Sequence, residues 1–167
     1  EALECCENTD TQLTGVILNN LGEINRLLGK NSEAQLYFKQ SLEIKTKYGD
    51  KISIAETLLR LLICAIEDNN EEKINEFHNQ LVKLTKTSNL DKLKIKLKIA
   101  DGLIYKNRTR IIELAKAQEI FTDLSEDNSI SLDETIFSLL NLCDLLIFEL
   151  KTYEQEELFL EIHKILN

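Results

Sequence analysis

Residues 16–50 read VILNNLGEINRLLGKNSEAQLYFKQSLEIKTKYGD, and the reading of this stretch decides the fold. Val16, Leu18, Leu21, Ile24, Leu27 and Leu28 recur at three- and four-residue steps, the period of an amphipathic helix. Gly29 stops that helix, and Asn31-Ser32 starts the next one. Ser32-x-x-Gln35 has the spacing of a capping box, in which the hydroxyl accepts a hydrogen bond from an orphan N–H of the first turn. Leu36, Phe38, Leu42 and Ile44 supply the apolar face of the second helix. Gly49-Asp50 closes it and caps a third. Two helices joined by so short a turn lie antiparallel, so the stretch predicts an α-hairpin.

The same reading extends along the chain. Ile54, Leu58, Leu61, Leu62, Ala65 and Ile66 mark the third helix, and Asp68-Asn69-Asn70 breaks it. A fourth carries Ile74, Phe77, Leu81 and Leu84 and ends near Thr87-Ser88-Asn89. From Lys92 to Ile99 lysine alternates with Leu and Ile, a period of two that by itself predicts a strand. Leu93, Leu97, Ala100 and Ile104 also form a helical stripe, and no second strand is available to pair, so a helix is expected there. After a break at Asn107 a sixth helix runs through Ile111, Leu114, Ala117, Phe121 and Leu124. Ser131-x-x-Glu134, another capping box, opens a seventh that extends to Leu150. An eighth is expected past Thr152-Tyr153, with Leu158, Ile162 and Ile165 on its apolar side.

The 167 residues suffice for one domain or one run of small repeats, and 43% apolar content supplies a core and excludes wholesale disorder. With 5 Gly and no Pro, the turns of an all-β sandwich or barrel have no chemistry to make them. The longest apolar run, Ile136 to Leu150, is interrupted by Ser138, Asn141, Asp144 and Glu149, so no membrane span is expected. Cys5, Cys6, Cys64 and Cys143 form neither a CxxC pair nor a zinc spacing, and no export signal is seen. Reduced thiols in a cytoplasmic protein are the expectation. The chain lacks Met and opens partway through a repeat-like unit, so it is expected to be a piece of something longer.

A shift of about 40 residues places Leu18, Leu21 and Ala34 on Leu58, Leu61 and Ile74, and the Gly29 break on Asn69. Leu18-x-x-Leu21-Gly22 followed by Gly29, Ala34 and Phe38 resembles the tetratricopeptide-repeat family, in its longer variety. Asn25 stands where that family usually has an aromatic residue, and Ser41 replaces a common Ala. The resemblance implies an all-α fold, a right-handed α-solenoid of about four antiparallel hairpins. Residues 1–9 would close a preceding repeat, and the hairpins would span 11–48, 50–87, 89–124 and 131–166. Small residues at Gly22 and Ala34 would let the two helices of the first hairpin approach closely.

Chemistry-bearing motifs are missing from the sequence. His78 and His163 belong to no HExxH pattern, and no phosphate-binding glycine loop or Gly-x-Ser-x-Gly elbow occurs. No catalytic residue, cofactor or metal is therefore expected. The resemblance implies instead a concave groove lined by the first helices of successive hairpins. It places Asn19, Glu23 and Arg26 there from the first hairpin, with Glu56, Leu59, Arg60 and Ile63 from the second. A variant of the family clamps a terminal carboxylate with Lys, Asn and Arg. Asn20 and Arg60 match that set in part, whereas Glu23 and Glu56 oppose an anion. Net charge is -9, yet between Lys83 and Arg110 nine bases face only two acids, Asp91 and Asp101. Lys94, Lys98 and Tyr105 form one stripe of that segment, either a solvated face or a docking patch for an acidic partner. An acidic chain without a set of stacking aromatics disfavours nucleic acid. The expected function is a non-catalytic scaffold that binds a peptide or a partner subunit, with weak self-association through cut repeat ends. The alternatives are a regulatory or sensor arm of a larger signalling ATPase or transcription regulator and, behind both, a helical-repeat RNA binder.

Overall fold

The computed structural model describes residues 2–48, 50–88, 90–153 and 164–165, with side chains described from residue 12 to 152 within those ranges and at 164–165. Among them the chain is all-α, with seven helices and no strand: α1 Ala2–Leu27, α2 Asn31–Tyr48, α3 Lys51–Glu67, α4 Glu71–Lys86, α5 Asp91–Lys106, α6 Ile111–Glu126 and α7 Leu132–Tyr153. The residues fall into two compact units, one up to Leu97 and one from Lys98. In the first, α1 packs on α2, α2 on α3 and α3 on α4; in the second, α6 packs on α7. Neighbouring helices thus pack in succession, as a helical-repeat arrangement requires.

The turns within the first two hairpins repeat one geometry. Gly29 has φ +73°, its N–H donates to the Arg26 carbonyl, and the Lys30 N–H reaches the Asn25 carbonyl. Asn69 has φ +53°, its N–H donates to Ile66, and the Asn70 N–H reaches Ala65. Both are Schellman endings with one residue in the left-handed region, which glycine adopts freely and asparagine tolerates. Asn70 then caps α4 by accepting from the Lys73 N–H at 3.0 Å. Asp50 caps α3, accepting from the N–H groups of Ile52 and Ser53 at 2.8 and 2.9 Å. At α7 the capping box is complete: the Ser131 hydroxyl accepts from the Glu134 N–H at 3.4 Å, and the Glu134 carboxylate accepts from the Ser131 N–H at 3.0 Å.

Three expectations need revision. The capping box at Ser32 does not form: α2 starts at Asn31, two residues before a Ser32 cap would begin it, so Ser32 lies exposed in its first turn. Gln35 turns away instead and donates to the Asp68 carboxylate at 2.5 Å. The expected close partner of Gly22 was Ala34, but the fully buried ring of Phe38 lies against this glycine. A Cβ at Gly22 would stand 2.6 Å from two atoms of that ring. The second unit repeats the device, with Gly102 under the ring of Phe121. Ala34 and Ala117, one turn before the two rings, are both fully buried. Third, α1 runs without interruption past Asp10, where a boundary with a preceding helix was expected. No Gly or Pro between Ala2 and Thr14 obliges a break. The eighth helix lies outside the described residues, apart from Lys164 and Ile165, which are helical. The lysine-rich alternation of residues 92–99 is helical throughout, with Leu93, Ile99 and Ala100 buried.

Candidate interaction surface

The first helices of the first two hairpins, α1 and α3, are tied together by charge. Glu23 on α1 takes Arg26 of its own helix at 2.8 Å and Arg60 of α3 at 2.6 Å. Arg26 reaches across to Glu67, near the end of α3, at 2.5 Å. Burial opposes the charged form of Glu23, but Arg26 and Arg60 outweigh it and hold the carboxyl below its usual range. The Glu23 hydrogen bond in turn raises Arg26. These groups remain partly exposed, so each pair contributes about 0–1 kcal/mol and acts more to set position than to hold the fold.

The structure therefore brings Glu23, Arg26 and Arg60 together but pairs them with each other. Asn19 is buried, where its side-chain oxygen accepts from the Thr57 hydroxyl at 3.1 Å. Leu59 is buried in the core of α3. Glu56 lies 3.8 Å from Lys96, and Ile63 is partly exposed. Of the seven residues expected to line a groove, Asn19 and Leu59 thus serve the interior. Glu23, Arg26 and Arg60 form a polar seam between α1 and α3, whereas Glu56 faces α5 through Lys96. In the second unit a comparable seam joins α5 to α7, where Lys106 donates to Asn141 and Asp144, each at 2.8 Å.

The residues of the basic stripe have separate surroundings. Lys94 pairs with Asp91 one turn back at 2.8 Å. Lys98 is exposed, and Tyr105 carries the Lys116 ammonium 5.4 Å above its ring centroid.

Two features escaped the sequence reading. Gln35 sits at a junction between hairpins: it donates to Asp68 and accepts from the Lys73 ammonium at 2.9 Å, while Asn31 also donates to Asp68 at 2.8 Å. The second is a face of α1, continued by Leu28 just past its end, that is turned away from its partner helix. Ile17, Leu21, Ile24 and Leu28 are 49, 38, 53 and 65% exposed. They alternate at four- and three-residue steps, the spacing of a helix–helix seam. The period was visible in the sequence, as was a close approach of α2 at Gly22; that α2 also closes on Gly15, through Ile44 and the Ser41 hydroxyl, was not. Among the described residues no group of His, Cys, Asp and Glu could hold a metal ion, and no helix is long and apolar enough to cross a membrane. Family models, curated proteins and solved structures give no match to this chain.

Proposed function

We propose that this chain is a non-catalytic protein-interaction scaffold of the tetratricopeptide-like kind, working in the cytoplasm. The observation that carries the reading is the exposed apolar seam of α1. Four large aliphatic side chains at helix-packing spacing form a surface suited to an amphipathic helix of a partner protein. The polar seam between α1 and α3 supports the same reading, because it fixes the two first helices side by side as a firm platform. Cys64 and Cys143 are unpaired buried thiols, in keeping with a reducing compartment.

Selection of peptides from a displayed random library against this chain tests the proposal. Binders should carry apolar residues at helical spacing. They should lose at least about tenfold in affinity to Ile17→Glu and Ile24→Glu, a loss of about 1.4 kcal/mol. Both positions are about half exposed, so helix content should not change. Binders that hold the two variants as tightly as the parent would refute the seam as the binding surface.

A further inference from the structure

Lys45 is only 6% exposed. It follows Ala34, Phe38 and Ser41 on the buried face of α2, and its stem passes over Gly15 of α1. The ammonium donates to the Thr57 hydroxyl of α3 at 2.9 Å, and Thr57 passes a hydrogen bond on to Asn19. Among the described residues that is one partner for three donors, and it is neutral. The neighbouring ions are engaged elsewhere: Glu56 faces Lys96, Arg60 holds Glu23, and Asp50 caps α3. A buried cation without a carboxylate is costly, and burial, with Arg60 nearby, lowers the pKa of Lys45 although Glu56 and Asp50 work the other way.

Lys45 also lines a cleft of about 560 Å³ between α1, α2 and the start of α3, the size of a small-molecule site. Leu13, Val16 and Ile44 form its apolar wall, and Gln12, Tyr48, Ser53 and the Asp50 carboxylate its polar margin. We propose that this cleft binds a small aliphatic monocarboxylate, its carboxylate received by the Lys45 ammonium and its stem laid along Leu13, Val16 and Ile44. Among the described residues that line the cleft Lys45 is the one cation, with the Asp50 carboxylate beside it, so a single negative charge is the most the site can balance. A dianion such as phosphate would meet Asp50 and Glu56 with nothing further to balance it. The inference stands apart from the α1 seam: a partner helix need not bind for this site to fill.

The test uses the chain as it is, with lysine ammonium and side-chain carbon resonances followed by NMR while hexanoate is added. A saturable shift at Lys45 is expected, and the titration midpoint of Lys45 should rise on saturation, because an adjacent anion favours the ammonium over the amine. The other ionisable groups around it, Asp50, Glu56, Arg60 and Tyr48, should move less. Hexanol, which offers the stem without the charge, should bind at least about tenfold more weakly. Lys45→Met, which keeps the volume and removes the charge, should lose hexanoate by a similar factor. Should that variant unfold, Val16→Gln on the half-exposed wall provides a second arm and should weaken the stem contact. A peptide with a free apolar C-terminus serves as a further probe. No saturable shift through about 10 mM hexanoate, equal binding of hexanol, or binding of the peptide alone would each overturn the assignment.

Discussion

Replacing Gly22 by alanine sets two effects of opposite sign against each other. In the interior of a helix the change should be welcome, because alanine is favoured over glycine by about 1 kcal/mol. Here the new methyl would stand 2.6 Å from Cδ1 and from Cε1 of Phe38 and 3.0 Å from Cζ. The ring has no exposed surface, so the methyl must displace it within the core or push α1 and α2 apart. Overpacking of this kind costs about 1–3 kcal/mol, and three close atoms on an enclosed ring place the cost in the upper half of that range. The net expectation is a loss of about 1–2 kcal/mol, read from urea unfolding followed by circular dichroism. Phe38→Leu should be destabilising alone, but in the Gly22→Ala background it removes the clash. The double variant should therefore be more stable than the two single losses predict, by about 1 kcal/mol or more. Gly22→Ala at or above parental stability would refute the packing argument.

Ser131→Ala should cost about 1 kcal/mol in thermal or urea unfolding because it removes a working cap, while Ser32→Ala should stay within about 0.5 kcal/mol of the parent. Asp50→Asn retains some capping but removes a titration. The Ser53 N–H is the main cause holding the Asp50 carboxyl below its usual value, so its contribution is complete above the ordinary carboxylate range. It is lost as pH falls through the lowered folded-state value, and the parent should lose more stability on acidification than the variant; parallel pH profiles would refute this. Burial pushes the Cys64 thiol up to about 12 and also raises Cys143. In a Cys5→Ser, Cys6→Ser background, both should resist alkylation at neutral pH until denaturant opens the fold, as timed by mass spectrometry.

What was legible in the sequence followed from spacing. The 3.6-residue period found every described helix, including α5, where lysine alternation argued for a strand and only a helix buries Leu93 and Ala100 together. Caps at Asp50 and Ser131 were readable because a short polar side chain before an apolar run has a local task. Ser32 failed the same reading because Gln35 had a stronger distant option in Asp68 and Lys73, and competition of that kind is invisible along the chain. The groove residues were placed by analogy. Their side chains were decided by which charges lay across the seam, so Glu23 and Arg60 found each other. Lys45 could have been flagged, since it continues the buried spacing of Phe38 and Ser41. Lysines at such positions usually carry their ammonium to solvent, so position alone did not single it out.

The paired helix endings at Gly29 and Asn69 bear on how repeats drift apart. Both residues hold the backbone in the left-handed region, and both release the chain into the next helix through the same two hydrogen bonds. To a comparison by identity they are a mismatch; to the chain they are one bend. A unit copied along a gene can exchange glycine for asparagine here at a cost of little more than a methyl-sized steric penalty. Each such exchange removes a shared letter and leaves the bend in place, so ancestry can fade from the sequence while the hairpins endure.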